Sequence, residues 1–162
     1  MAKIILGLDP GIADTGYGVI LSEGSKLTCL DYGSIKTDPR ANLSERLEVL
    51  YLSLEKIIKK HAPDLAAIEQ LFFNKNVKTA LVVGQARGVI LLCLKQNKIS
   101  SVEFTPIQVK QAVSSYGRAS KNQVQKMVKI ILNLKEIPKP DDAADALAIA
   151  ICALNNRLCL KN

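Results

Sequence analysis

The stretch Lys3-Ile4-Ile5-Leu6-Gly7-Leu8-Asp9-Pro10-Gly11 decides the fold of this chain. Residues 3–8 form a short, largely apolar run, which is typical of a buried β-strand. The residues that follow, Asp9-Pro10-Gly11, are of the types that turns prefer, so the strand ends there. The sequence therefore predicts a buried first strand with an acidic side chain at its end.

Four further stretches have the composition of strands, at residues 17–21, 27–35, 65–68 and 101–104. The first two are joined by a turn at residues 23–25, so the first three strands are predicted to form a meander. Glu69 directly follows the fourth strand. Together these stretches predict a sheet of about five strands.

Helices are predicted between and after these strands. Apolar residues keep helical spacing from residue 43 to 58, and the last helix is expected from about residue 141 to 156. Capping-box pairs mark three helix starts, namely Asn42 with Glu45, Thr105 with Gln108 and Ser120 with Gln123. This order predicts an α/β fold in which a mixed sheet is flanked by helices, and 162 residues fit a single domain, 1–162.

The predicted helix at residues 77–94 is apolar around nearly its whole circumference. A helix of this kind must be covered on every side. One small sheet does not easily cover all of it, which favours an interface with a second copy of the chain. A central helix sandwiched inside one subunit explains the pattern equally well.

The net charge of +7 and the isoelectric point near 9.3 indicate a polyanionic partner. Nucleic acid and an anionic membrane surface both attract clustered lysine and arginine. The first residues lack the apolar run of a signal peptide, and no window approaches the ~18 apolar residues of a membrane span. We therefore expect a cytoplasmic protein.

Cysteine and histidine offer little chemistry in this chain. The four cysteines (Cys29, Cys93, Cys152 and Cys159) form no C-x₂-C pair, so a disulfide framework or a zinc site is not expected. The one histidine, His61, follows two lysines at a predicted helix end, where a cation suits the helix dipole. Hydrolytic chemistry would therefore have to come from carboxylates.

Four acidic residues lie where strands end or helices begin, namely Asp9, Glu69, Asp142 and Asp145. Asp142 and Asp145 are three residues apart and share one face of the last helix. Strand ends are where the sites of α/β sheets assemble. Converging carboxylates hold hard divalent cations, and two such ions about 3.5–4 Å apart can promote hydrolysis of a phosphodiester.

Each carboxylate also has a structural explanation. Asp9 before Pro-Gly can shape a turn, and Asp142 can complement the helix dipole. Asp145 can be a solvated surface residue. Glu69 is the hardest to explain in this way, because it is flanked by apolar residues, although a salt bridge would satisfy it.

Five motifs, in order between residues 4 and 150, resemble the RuvC family of Holliday junction resolvases. They are residues 8–11 with 15–18, residues 67–70 with Phe72 and 74–76, residues 84–88, residues 108–111 with Lys121, Gln123 and Val124, and residues 142–148. One such motif would be weak support, whereas five in register are specific.

The resemblance implies a ribonuclease H-like fold and a homodimer that cuts four-way DNA junctions symmetrically, leaving 5′-phosphate and 3′-hydroxyl ends. It implies that Mg²⁺, for which Mn²⁺ can substitute, binds Asp9, Glu69, Asp142 and Asp145. It implies DNA contacts from five residues, Phe72, Phe73, Lys75, Lys110 and Lys121. It also implies work alongside a RuvA–RuvB branch-migration complex.

Some of these roles stay open on the residues themselves. Lys110 and Lys121 can be solvated helix charges, and Phe72 and Phe73 can be core residues. The residues alone do not tell whether the ring of Phe72 or that of Phe73 would stack on a DNA base. Asp141 precedes the matching Asp142, and we predict that it caps the last helix rather than binding metal.

Two other functions compete with the nuclease. The loop around Asp9 to Gly16 is reminiscent of a phosphate loop in nucleotide-binding phosphotransferases, but those proteins need a second lobe. A junction-binding protein without catalysis is the other alternative. Four anions beside DNA argue against it, because they oppose binding unless metal neutralises them.

Overall fold

A mixed sheet of five strands organises the computed structural model, which describes residues 2–70 and 77–156. The strands are β1 (Lys3–Asp9), β2 (Asp14–Glu23), β3 (Lys26–Lys36), β4 (Leu65–Glu69) and β5 (Ser100–Phe104). Their order across the sheet is β3-β2-β1-β4-β5. The first three pair antiparallel, and β4 and β5 run parallel to β1. The predicted meander and mixed sheet are confirmed.

Five helices complete the described part of the chain: α1 (Leu43–His61), α2 (Val77–Gln96), α3 (Pro106–Ser114), α4 (Lys121–Ile131) and α5 (Asp141–Asn155). The three predicted capping boxes are present, with both hydrogen bonds in each. These caps satisfy backbone N–H groups that have no partner inside a helix. The starts of α1, α3 and α4 are therefore determined locally.

The helices form one layer on each face of the sheet. Successive strand residues point to opposite faces. Ile5 accordingly packs with α3, α4 and α5, whereas Leu6 packs with α1 and α2. Each face has its own buried apolar cluster, and the chemistry described below lies on the α3–α5 face.

α5, not α2, is the helix that is covered on all sides. Ten of its residues are buried, within the run from Ala143 to Ala153. α2 instead leaves Leu81 and Leu92 exposed, at 64% and 53% of their surface. Within the described residues, α2 is therefore not sandwiched inside one subunit, because the sheet and α1 cover only one of its sides.

Glycines bring α5 unusually close to the sheet. Gly7 and Gly18 are paired across β1 and β2, and Asp9 is paired with Gly16. A Cβ atom at Gly7 would lie 2.0 Å from the carbonyl oxygen of Ala146, and one at Gly16 would lie 2.0 Å from that of Asp142. No side chain fits at these positions, so the helix backbone rests directly on the strands.

The C-terminal end of α1 is tied to β3 through Asp31. Lys60 Nζ lies 2.6 Å and His61 Nε2 lies 2.9 Å from the same carboxylate oxygen. Burial raises the pKa of Asp31, but the bonds from Lys60 and His61 outweigh it and lower the pKa below its ordinary value. The predicted cationic end of this helix is confirmed, and it has a specific anionic partner.

Among the described cysteines, Cys93 and Cys152 are buried, Cys29 is half-buried, and none of these three forms a disulfide bond. Cys159 lies outside the described residues. Over residues 2–70 and 77–156, no helix combines the length and the hydropathy that crossing a membrane requires.

We expect Gly7→Ala to destabilise the chain, because the added methyl group would meet the backbone atoms of α5 rather than a side chain that could move. Overpacking of this kind costs about 1–3 kcal/mol of unfolding free energy. Urea unfolding followed by circular dichroism measures the loss. Gly84→Ala is the control, since a Cβ there meets open space. Equal stability of the two variants would contradict this packing argument.

Candidate active site

Asp9 lies at the end of β1 with its side chain on the α5 face, as Gly7 is two residues earlier. Its cross-strand partner is Gly16, which has no side chain. The first turn of α5 fills that space, with the Asp142 backbone against Gly16. The close contact between helix and sheet therefore brings the start of α5 beside Asp9.

Three carboxylates meet at this point. One oxygen from each of Asp9, Asp142 and Asp145 lies within 4.8 Å of the other two. Asp142 and Asp145 come from the first turns of α5, where negative charge also complements the helix dipole. The predicted convergence of these residues is confirmed as geometry.

Glu69 approaches the same cluster from β4. This strand is parallel to β1, and the pairing of Leu8 with Ile68 places Asp9 and Glu69 side by side at the same sheet edge. Glu69 also lines a cavity of about 200 Å³ together with Lys110, Lys121 and Asp145. The acidic cluster therefore opens into a cavity whose wall carries two cations.

Burial and repulsion by neighbouring acids raise the pKa of Asp9, Glu69 and Asp142. Burial is the larger cause and the charges of Glu69, Asp145 and Asp142 add to it, which raises the pKa of Asp9 to about 8. Burial, followed by Asp145, also raises the pKa of Glu69. Burial and nearby Asp14 raise that of Asp142. A site with these properties favours cations, because each added positive charge relieves the repulsion.

Lys121 supplies part of that positive charge. Its Nζ lies 2.9 Å from an oxygen of Asp145 and 3.6 Å from one of Asp141. Partial burial lowers the pKa of Lys121, but the bond to Asp145 and the surrounding acids outweigh it and raise the pKa. Lys110 acts at a longer range, where its charge lowers the pKa of Glu69.

The prediction that Asp141 caps α5 is wrong. The N-cap is Pro140, no side chain caps this helix, and Asp141 is its first residue. The carbonyl oxygen of Pro140 already accepts from the backbone of Ala143, so the first turn closes without a side-chain cap. The Asp141 carboxylate instead points toward Lys121 at the edge of the site.

The sequence model of the family described as "Crossover junction endodeoxyribonuclease RuvC" matches residues 5–153 of this chain. This chain belongs to the RuvC family. Relatives that carry the same description include one from Halothermothrix orenii, 57% identical over 94% of this chain and 93% of the relative. One from Ruminiclostridium cellulolyticum is 59% identical over 94% of this chain and 92% of the relative.

Solved RuvC structures are similar in fold. Thermus thermophilus RuvC, in complex with a Holliday junction substrate, has a TM-score of 0.89 and 34% identity, covering 94% of this chain and 93% of that one. A yeast mitochondrial Holliday junction resolvase has a TM-score of 0.67 at 16% identity and covers 97% of this chain and 81% of that one, which is a likeness of fold alone. The expected ribonuclease H-like fold of the RuvC family is thereby confirmed.

Three predicted DNA-binding residues, Phe72, Phe73 and Lys75, lie outside the described residues. Of the RuvC-like residues that are described, Asp9, Asp142 and Asp145 meet in one cluster, and Glu69, Lys110 and Lys121 line the cavity that Asp145 shares. All of the predicted site residues that the structure describes therefore lie at one site.

Sequence reasoning missed the residues that support this RuvC-like site. Gly7 and Gly16 create the space for α5, and their position on one face of paired strands was a detectable signal. Asp14 acts on Asp142 electrostatically and accepts a 2.6 Å hydrogen bond from the Ser34 hydroxyl. Thr15 is buried and donates to the carbonyl oxygen of Gly11, which fastens the loop after Asp9.

The raised pKa of Asp9 predicts how the stability of the metal-free chain depends on pH. The unfolded chain loses this proton near pH 3.8 and the folded chain near pH 8. Between these values the folded state binds more protons, so stability falls as pH rises toward 8 and then levels off. Asp9→Asn cannot ionise, so we expect it to raise the Tm at pH 8.5 by at least about 2 °C, the effect of 1 kcal/mol at this size.

Thermal unfolding in the presence of a chelator, at pH 5 and pH 8.5, measures this effect. The gain should be smaller at pH 5, where Asp9 is protonated in the folded chain. Glu48→Gln removes an exposed carboxylate from α1 and is the matched control. A Tm gain from Asp9→Asn that is the same at both pH values would show that charge at Asp9 is not its cause.

Proposed function

We propose that this chain is a divalent-metal-dependent endonuclease that resolves four-way DNA junctions by symmetric phosphodiester hydrolysis, leaving 5′-phosphate and 3′-hydroxyl ends. The observation that carries the proposal is the meeting of Asp9, Asp142 and Asp145 beside a cavity lined by Lys110 and Lys121. A relative 34% identical is solved with a Holliday junction substrate, which supports the same substrate here.

The carboxylates suit a hard divalent cation such as Mg²⁺, with Mn²⁺ as a substitute. Oxygens of Asp9, Asp142 and Asp145 are close enough to share an ion, and oxygen is the ligand atom that Mg²⁺ prefers. The raised pKa values of Asp9 and Glu69 fit the same purpose, because a bound cation would replace the protons that burial and repulsion now favour. Asp9, Glu69, Asp142 and Asp145 are the proposed ligands and catalytic residues.

When bound at such a site, a divalent ion supplies Lewis-acid stabilisation of charge on the scissile phosphate and an acidified water. The chain itself positions the substrate. Lys110 and Lys121 line the cavity together with Glu69 and Asp145 and are proposed to hold phosphate oxygens. Phe72, Phe73 and Lys75 are proposed as further DNA contacts, by family resemblance.

Glu69→Gln tests the catalytic assignment. It keeps the size of the side chain and removes its charge, so we expect junction binding to persist while cleavage falls by at least about 100-fold, the scale expected when a group that stabilises the transition state is lost. A labelled synthetic junction, with and without Mg²⁺, measures both. Glu48→Gln on α1 is the control. Undiminished cleavage by Glu69→Gln, or cleavage in excess chelator, would contradict the proposed mechanism.

The outer face of α2 supports a homodimer. Leu81, Gln85, Gly88 and Leu92 are exposed at helical spacing and form one stripe. The lack of a side chain at Gly88 allows a second backbone to approach closely, since nothing lies within 4 Å of its Cβ position. A two-fold pair of chains would present two sites to a symmetric junction.

We expect Leu92→Arg to produce a monomer, because it places a charge in the apolar stripe of α2. Paired incision of a junction should fall in parallel, while folding is retained. Sedimentation equilibrium and a nicked-versus-resolved product assay measure these effects. Leu52→Arg is the control, since Leu52 on α1 is 47% exposed and Leu92 is 53% exposed. A dimer that survives Leu92→Arg would place the interface elsewhere.

Membership of the RuvC family also supports a RuvA–RuvB branch-migration complex as the partner that delivers the junction.

A further inference from the structure

α3, α4 and the turn between them form a basic segment that borders the acidic cluster. From Phe104 to Lys135 the chain contains six lysine or arginine residues and no aspartate or glutamate. Lys110 and Lys121 belong to the cavity already described, but Arg118 does not. It lies on the turn between the two helices, three residues before Lys121.

Hydrogen bonds at both ends stabilise the turn between Ser114 and Lys121. The Ser114 hydroxyl lies 2.6 Å from the carbonyl oxygen of Lys110 and 3.1 Å from that of Tyr116, and its one proton is shared between these two acceptors. The buried Ala119 donates its backbone N–H to the carbonyl oxygen of Tyr116 at 3.0 Å, and Ser120 caps α4. The backbone of the turn is therefore fastened directly to the helix that carries Lys110.

Apolar surface is exposed on the same turn. Ile107 and Tyr116 are 64% and 58% exposed. A methyl group of Ile107 lies 3.0 Å from where a Cβ of Gly117 would be, so the Ile107 side chain lies against the turn. The surface formed by Ile107, Tyr116, Gly117 and Arg118 is called the α3–α4 turn surface below.

Arg118 is exposed and has no carboxylate within 4 Å among residues 2–70 and 77–156. Two other arginines differ: Arg40 pairs with Asp38, and Arg87 pairs with Glu103. An arginine without an internal partner is available to an external anion, and its planar group suits a phosphate.

We propose that the α3–α4 turn surface binds the sugar–phosphate backbone of one duplex arm of the junction, beyond the scissile phosphate. Arg118 pairs with a phosphate, and Tyr116 and Ile107 pack against deoxyribose. The proposal rests on the proposed junction-cleaving function. It follows from the charge of the segment and from its connection, through Ser114, to the Lys110 wall of the site.

A second copy of the chain fits this surface less well. The exposed stripe of α2 lies on the opposite face of the sheet from α3 and α4, so the proposed dimer leaves the α3–α4 turn surface uncovered. An arginine that has no carboxylate partner in the described part of the chain, beside apolar groups, also matches a nucleic-acid backbone, which alternates phosphates with sugars.

The test compares junction binding by Arg118→Ala and by Lys26→Ala as a function of salt. Fluorescence anisotropy of a synthetic four-way junction, in chelator, measures Kd. Losing one phosphate contact should weaken binding about tenfold near 0.1 M salt and reduce the slope of log K against log salt by about 1. Lys26 is the control because it is the first residue of β3, at the end of the sheet opposite Asp9, and its removal should leave the slope unchanged.

Ile107→Ala and Ile130→Ala form a second matched pair, since these isoleucines are 64% and 67% exposed. Ile107→Ala should weaken binding about threefold without altering the salt slope, because it removes apolar contact and no charge. Ile130, in the last turn of α4, should have no effect. A photo-crosslinking residue in place of Tyr116 should attach to a duplex arm, whereas one in place of Ile130 should not.

The outcomes separate this inference from the proposed function. If the unaltered chain binds and cuts the junction while Arg118→Ala keeps the slope of Lys26→Ala, the α3–α4 turn surface is not a DNA contact and the proposed function stands. If the unaltered chain neither binds nor cuts, both fail. Circular dichroism checks folding, and Arg118→Gln repeats the test should the alanine variant unfold. A change in oligomeric state, with binding unaffected, would assign the surface to a protein contact and overturn the inference.

Discussion

The direct contact between α5 and the side-chain-free positions of β1 and β2 is the constraint on which the site depends. Gly7 and Gly16 admit the helix backbone to distances that no other residue type would permit. Because α5 starts with its acidic turn over Gly16, Asp142 and Asp145 are delivered to Asp9 as the helix packs. One packing contact thus determines both the core of this face and the geometry of its chemistry.

That geometry works against the stability of the chain and in favour of its proposed activity. Burial, and to a lesser extent the repulsion between neighbouring carboxylates, raises the pKa of Asp9 to about 8. Lys121 relieves part of this repulsion through Asp145. A bound divalent ion would reduce the repulsion between the carboxylates further. Because packing holds the acids together, this reduction would contribute to the affinity of the site for the cation.

The two faces of the sheet carry different features. The α3–α5 face carries the acidic cluster, the cavity and the basic segment around it. The α1–α2 face carries an apolar cluster, and α2 leaves a stripe of its surface uncovered. The proposed contacts with DNA and with a second copy of the chain therefore lie on different faces and do not exclude each other.

Local signals in the sequence determined much of this protein: the strands, three capping boxes, the acidic residues at strand ends and, through five motifs, the RuvC family. These features depend on neighbours along the chain, which the sequence displays. Only the tertiary structure decided that Lys121 pairs with Asp145, that Asp141 does not cap α5, and that α2 keeps an open face. Each of these depends on which distant side chain or layer comes within a few ångströms. Periodicity along one chain contains no such distances, because they arise only when the helices pack on the sheet.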